Sequence, residues 1–195
     1  MISETKTITE NRVYVACLAC YNEGKINGQW MTADELEIAW EHDWVDESTD
    51  KRILCPHDEH EEWAIHDYDG DVSRLNMGEH PDIPELIEHM NALDDYDGTS
   101  YVPAFLMAEE MIGRFPSQEE VENLMDVWEM VDDTSEWAEE LCSEIYHTEL
   151  EAVPHFITVT IDWEWVADQL LHDYYSYRYG TTIYLIRHGE DIVCE

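Results

Sequence analysis

SQEEVENLMDVWEMVDD, residues 117–133, carries two patterns at once. Val121, Leu124, Met125, Trp128 and Val131 fall on one face of a 3.6-residue helix and read as a core face. The same winding gathers Glu119, Glu122, Asp126, Glu129 and Asp133 into a second stripe, away from the apolar one. Like charges three or four residues apart destabilise a helix by roughly 0.2–0.5 kcal/mol per pair, and surface helices ordinarily dilute such rows with Lys or Arg. No Lys or Arg dilutes this one. After Thr134 the pattern resumes: Trp137, Leu141 and Ile145 recur every four residues, with Glu136, Glu139, Glu140 and Glu144 on the other side. Between Phe115 and Tyr177 the chain has no Lys or Arg at all. A solvated face would account for one such helix, but the balance of the whole chain asks for more.

The 195 residues include 47 acidic and 9 basic ones, a formal net charge of −38. The charged fraction, 29%, is ordinary for a globular protein, so the anomaly lies in the sign. Hydrophobic residues make up 44%, with 8 Trp and 11 Tyr, which is too apolar for a disordered acidic tail. The chain should fold, against the self-repulsion that so large a charge imposes on a compact state. The charge also excludes nucleic acid as a direct partner. No segment approaches 18 consecutive apolar residues, and MISETKTITE at the N-terminus lacks the apolar core of a secretion signal, so no membrane association and a cytoplasmic location are expected. Five scattered cysteines, Cys17, Cys20, Cys55, Cys142 and Cys194, suit a reducing compartment without a disulfide framework.

Residues 1–10 are polar and the fold is expected to start at Arg12. RVYVACLACY (12–21) reads as a strand, turned back by Asn22-Glu23-Gly24 and Asn27-Gly28 into a short GQWM strand. Thr32 and Glu35 form a capping box before a helix carrying Leu36, Ile38, Ala39 and Trp40. A polar loop with Lys51 and Arg52 precedes a third strand around 62–66, ended by Asp69-Gly70. Asp82 and Pro84 open a helix through Leu93; an acidic loop, 94–98, leads to a second helix, Val102–Ile112, stopped by Gly113. Ser117 and Glu120 cap the helix of the quoted stretch. A strand over Phe156–Ile161, a helix Trp163–Leu171 capped by Asp162, and a hairpin of Tyr174–Tyr179 and Thr182–Arg187 about Gly180 close the chain.

VYVACLACYNEGKINGQW (13–30) followed by EEWAIHDYDG (61–70) resembles the opening of the ArdA antirestriction family, V-Y-[VI]-A-x-L-x-x-Y-N-x-G-x-L-x-G-x-W and then E-E-[WY]-A-I-H-D-Y-[ED]. IDWEWVADQL (161–170) is similar to a third family block, I-D-[WY]-[EQ]-x-x-[AG]-R-D-L, with Ala167-Asp168-Gln169 where an Arg-Asp pair is common. The middle of the chain matches by acidity more than by residues. The resemblance implies an α+β protein, an elongated chain of three small domains with small antiparallel sheets at both ends and a helical middle. Residues 1–71 would hold a three-stranded sheet with a short helix, 72–115 a small helical domain, and 116–195 an α+β domain with the acidic helices and the terminal hairpin. It further implies a homodimer through the C-terminal domain that occupies the DNA groove of type I restriction-modification enzymes.

Catalytic and metal motifs are weaker. Arg187-His188-Gly189-Glu190 reproduces a histidine-phosphatase signature, but only five residues follow it and none can complete a phosphoryl site. Cys17-x-x-Cys20 in a strand would direct its thiols to opposite faces, which favours core cysteines. Cys55, His57 and His60 lack a second ligand pair at structural-zinc spacing and read as a loop. Asp67-x-Asp69-Gly70-Asp71 has its glycine too early for a calcium loop. The expectation is therefore no catalytic residue, no metal and no cofactor.

The carboxylates read best as acting together. Duplex DNA carries one charge per roughly 1.7 Å of axis, so this charge corresponds to about 65 Å of duplex, more than a compact sphere of this mass could lay out in a row. Glu119, Glu122, Asp126, Glu129, Asp133, Glu136, Glu139, Glu140 and Glu144 are the expected phosphate substitutes, with Trp128 and Trp137 holding their helices. The alternatives are a halophilic housekeeping protein, whose acids would be evenly spread, and an acidic metal-binding protein.

Overall fold

Val13 and Val15 are fully buried on one side of the extended segment Arg12–Cys17 (β1), and they make it the centre of the first sheet. The structure, a computed structural model, describes residues 10–57, 59–96, 98–158 and 160–188. Gly28–Met31 (β2) and Trp63–Asp69 (β5) flank β1, both antiparallel to it. Gly28 sits where the two backbones close up: a Cβ there would lie 2.4 Å from the Val15 carbonyl oxygen. Only glycine fits. The strand expected over 12–21 ends at Cys17, because the chain turns into a short helix, Leu18–Asn22 (α1), with Cys17 as its N-cap.

Thr32 starts the next helix, Ala33–Glu41 (α2), as its capping box requires: its hydroxyl accepts from the Glu35 N–H and the Glu35 carboxylate accepts from the Thr32 N–H. Beyond it, Val45–Asp46 (β3) and Lys51–Arg52 (β4) form a two-residue ladder in what composition marks as a loop. Asp82 caps Ile83–Asp95 (α3), accepting from the Glu85 N–H at 3.1 Å, and Gly98–Ile112 (α4) ends at Gly113 in a left-handed turn. Helix α3 buries Leu86, Ile87, Met90 and Leu93, packing against α2, α4 and the 3-10 turn Asp71–Arg74.

Two polar arrangements lie inside this unit. His89 is fully buried, its Nδ1 2.7 Å from the Tyr101 hydroxyl and its Nε2 3.1 Å from the Pro116 carbonyl oxygen. A carbonyl can only accept, so Nε2 carries the proton, and Nδ1 accepts from the Tyr101 hydroxyl. The ring is neutral, and burial pushes its pKa down to about 4. The Glu120 carboxylate is also buried, accepting from both Arg114 guanidinium nitrogens at 3.0 and 2.7 Å and from the Ser117 N–H at 2.9 Å. The Arg114 hydrogen bonds hold its pKa below the ordinary carboxylate range even though burial opposes this.

In the C-terminal part, Thr182–Arg187 (β8) is the central strand, with Tyr174–Tyr179 (β7) on one side and Glu129–Val131 (β6) on the other, all antiparallel. Its core is Val131, Trp137, Ala138, Ala167, Ile183 and Leu185. Those side chains join the sheet to Thr134–Ile145 (α6) and Trp163–Leu170 (α9). Asp162 caps α9 through the Trp165 N–H, and the terminal hairpin turns at Gly180 as its sequence predicts.

Two expectations need correction. Residues 117–133 are not one helix: Gln118–Val127 (α5) stops, and Glu129–Val131 becomes β6. Trp128 stacks on Tyr184 of β8, ring centroids 4.4 Å apart, and Met130 pairs with the same tyrosine across the ladder. Sheet pairing by aromatic and β-branched residues overrides the helical period there. The strand expected over Phe156–Ile161 is instead the short helix His155–Thr158 (α8), preceded by His147–Ala152 (α7). Pro154, whose carbonyl accepts from the Ile157 N–H at 2.8 Å, starts that turn.

The chain divides into two compact units, Met1–Val121 and Glu122–Glu195. The boundary expected at 71/72 falls inside the first of them. The small antiparallel sheets and mixed α and β content are as expected.

Candidate functional site

The helical wheel of α6 separates its side chains by chemistry. Trp137 and Ala138 are buried and Leu141 packs on the same core, while Glu136, Glu139 and Glu140 are exposed on the far side and Glu144 is exposed a turn beyond Leu141, near the Trp137 row. At 1.5 Å per residue, these four carboxylates extend over roughly 12 Å of helix axis. Ile145, expected on the core face, is 60% exposed, since the apolar contact of α6 ends a turn earlier. On α5, Glu119 and Asp126 are exposed and Glu122 is half-buried, one row beside the buried Val121 and Leu124.

Glu129 and Asp133 are exposed too, but they do not continue that row. Glu129 lies on β6 and accepts a hydrogen bond from the Trp137 indole N–H at 2.9 Å. Asp133 is the N-cap of α6, accepting from the Ser135 N–H at 2.8 Å and the Glu136 N–H at 3.2 Å. The Ser135 hydroxyl and these N–H groups lower its pKa. Both carboxylates therefore position the acidic helix as well as adding to its charge. Trp137 does more than fill space: its ring meets Tyr174 edge-on at 5.2 Å while its N–H holds Glu129.

Such a surface is uniformly negative. It can attract a cationic groove and satisfy its Lys and Arg side chains, with carboxylates at a spacing, roughly 6 Å between i and i+4, close to that of phosphates along a DNA strand.

A second cluster escaped the sequence reading. The Cys17, Cys20 and Cys55 sulfurs and a His60 ring nitrogen lie within 4.8 Å of one another, the cysteines buried. The start of α1 at Leu18 breaks the alternation of β1 and brings Cys20 back beside Cys17. The opposite-faces argument against this pair fails for that reason. The spacings Cys17-x2-Cys20 and Cys55-x4-His60 were the available signal. Of the phosphatase-like run, Arg187 and His188 are exposed, and Gly189 and Glu190 lie outside the described residues. Of the run read as a turn after a strand, Asp67 and Asp69 lie in β5, paired with β1, Asp69 also bridging Arg12, and the 3-10 turn begins at Asp71.

Among the described residues, no helix is long and apolar enough to cross a membrane. Comparison with curated proteins gives no match. A family model described as antirestriction protein (ArdA) matches residues 13–183, from the start of β1 to the terminal hairpin. The resemblance carried by residues 13–30 and 61–70 thus extends over nearly the whole chain, which belongs to the ArdA family of antirestriction proteins.

Proposed function

We propose that this protein inhibits type I restriction-modification enzymes by presenting carboxylates in place of the phosphates of B-form DNA and occupying the DNA-binding groove. The observation that carries the reading is the exposed face of α6, where four glutamates stand together in a 63-residue span without Lys or Arg. No residue acts as a catalyst in it; inhibition is occupancy. The test is cleavage of unmodified DNA by a purified type I enzyme with the protein titrated in. Added DNA should relieve the inhibition competitively, and the inhibition constant should rise roughly tenfold or more between low and physiological salt. Inhibition indifferent to both would eliminate the proposal. Acidity as a halophilic adaptation predicts a different result, a fold that requires high salt.

The reading includes a homodimer through the C-terminal domain and the elongated three-part organisation, with divisions near residues 71 and 115. Ile145, Tyr146, Trp165 and Tyr175 are at least half exposed in the second unit, an apolar content consistent with a covered surface. Light scattering should give twice the chain mass, and Trp165→Asp should shift it toward the monomer. A wild-type monomer at micromolar concentration would remove the dimer from the proposal.

A further inference from the structure

We infer that Cys17, Cys20, Cys55 and His60 form a structural zinc site that fastens the first unit together. Three chain segments meet there: the end of β1 supplies Cys17, α1 supplies Cys20, and the connection between β4 and β5 supplies Cys55 and His60. The His60 Nδ1 stands 3.5 Å from the Cys17 sulfur, 3.3 Å from that of Cys20 and 3.7 Å from that of Cys55. With Zn–S near 2.3 Å, Zn–N near 2.0–2.1 Å and tetrahedral angles, the sulfur-to-nitrogen edge of a zinc site is about 3.5 Å. All three distances match it. Hydrogen bonding cannot account for the arrangement, because one ring nitrogen has one lone pair or one proton and cannot serve three sulfurs at once.

The surroundings suit thiolates. The Cys20 backbone N–H points at the Cys17 sulfur at 3.5 Å, and the Asn27 side-chain amide donates to the Cys20 sulfur at 3.2 Å. N–H donors on sulfur stabilise the ionised, metal-binding form and orient it. A void of about 10 Å³ adjoins the cluster, lined by Cys17, Cys55 and His60 with Trp44 and Trp63 as walls, Cys20 lying outside it. Three thiolates and one imidazole gathered about one point select zinc among common divalent ions. Binding exchanges three thiol protons for one Zn²⁺ and leaves a site of net charge −1.

The ion would hold a segment that has little else to hold it. Between α2 and β5 the regular structure is the two-residue β3–β4 ladder. Trp44 adopts a left-handed backbone conformation, φ 61°, that bulky residues rarely take, and it packs on Trp63 at 4.9 Å beside the cluster.

Elemental analysis of the intact protein, purified under reducing conditions, should find one zinc per chain. Cys55→Ser and His60→Ala should lose it, and Cys142→Ser, whose thiol lies in α6, should keep it. Because the first two variants could fail to fold, the wild-type protein is also stripped with a chelator and titrated with Co²⁺. Intense visible bands of a tetrahedral ion and a thiolate-to-cobalt charge-transfer band, saturating at one equivalent, are expected. Absence of zinc together with no tetrahedral cobalt spectrum, or a Cys17–Cys20 disulfide as the resting state, overturns the inference. The outcome is independent of restriction inhibition, which is measured separately.

Discussion

Replacing Glu136, Glu139, Glu140 and Glu144 together by Lys is expected to weaken inhibition of a type I restriction enzyme by roughly 100-fold or more, while each single Glu→Gln change costs less than about threefold. The reasoning is additive. A carboxylate about 4 Å from a cation in water contributes about 1 kcal/mol, less under physiological screening. Reversal turns each attraction into repulsion, so four reversals remove about 3 kcal/mol, more than a factor of 100 in affinity. These four residues are the right choice because all four are exposed and none is tied into a cap or a side-chain hydrogen bond that positions the helix. Glu129 and Asp133 are not, since one holds the Trp137 indole and the other caps α6. Glu136 lies in the first turn, where a Lys opposes the helix dipole, a loss of about 0.5 kcal/mol that leaves the fold intact. Circular dichroism should confirm this. A folded quadruple variant that inhibits as the wild type does would dispose of the idea that α6 stands in for phosphates.

The second large effect is an acid weakening of the first unit that begins above the carboxylate range. The folded-state pKa of His89 is about 4, against 6.5 for an ordinary histidine. Folding thus favours the neutral ring: its contribution is fully present above pH 6.5 and is lost as pH falls from 6.5 toward 4. The slope approaches about 1.4 kcal/mol per pH unit, for a total of about 3 kcal/mol. Glu120 has the opposite charge and a lowered pKa, so its contribution is present above the ordinary carboxylate pKa and disappears as pH drops below it. The two losses are sequential. Denaturant unfolding followed from pH 7 to pH 4 should show the first slope in the wild type and lack it in His89→Gln, where no ring remains to protonate. Parallel curves for the two proteins would mean that His89 is not the responsible group.

Much of this could be read in advance where short-range chemistry decides. The Thr32–Glu35 capping box, the Asp82 and Asp162 caps and the Gly180 turn are local arrangements of a few residues, and each formed as read. The acidic face of α6 was legible for the same reason: a helical period sorts carboxylates from the buried Trp137 and Ala138 without knowledge of the rest of the chain. The errors fell where a distant partner had the deciding vote. Glu129–Val131 kept a helical period but found β8 more than fifty residues later. Cys20 kept the alternation of β1, but the chain had already turned at Leu18, and its neighbours Cys55 and His60 arrive from a segment with almost no periodic structure. Periodicity cannot show a meeting arranged by tertiary folding.

The strand order of the second sheet also has a consequence for synthesis. Strands β6 and β7 both hydrogen-bond to β8, the last strand among the described residues, and are not paired with each other. The ribosome therefore releases the acidic helices before the sheet beneath them can close, whereas the strands described in the first unit, β1 to β5, are already made. A nascent chain interrupted before Thr182 keeps the glutamates and loses the platform that aims them.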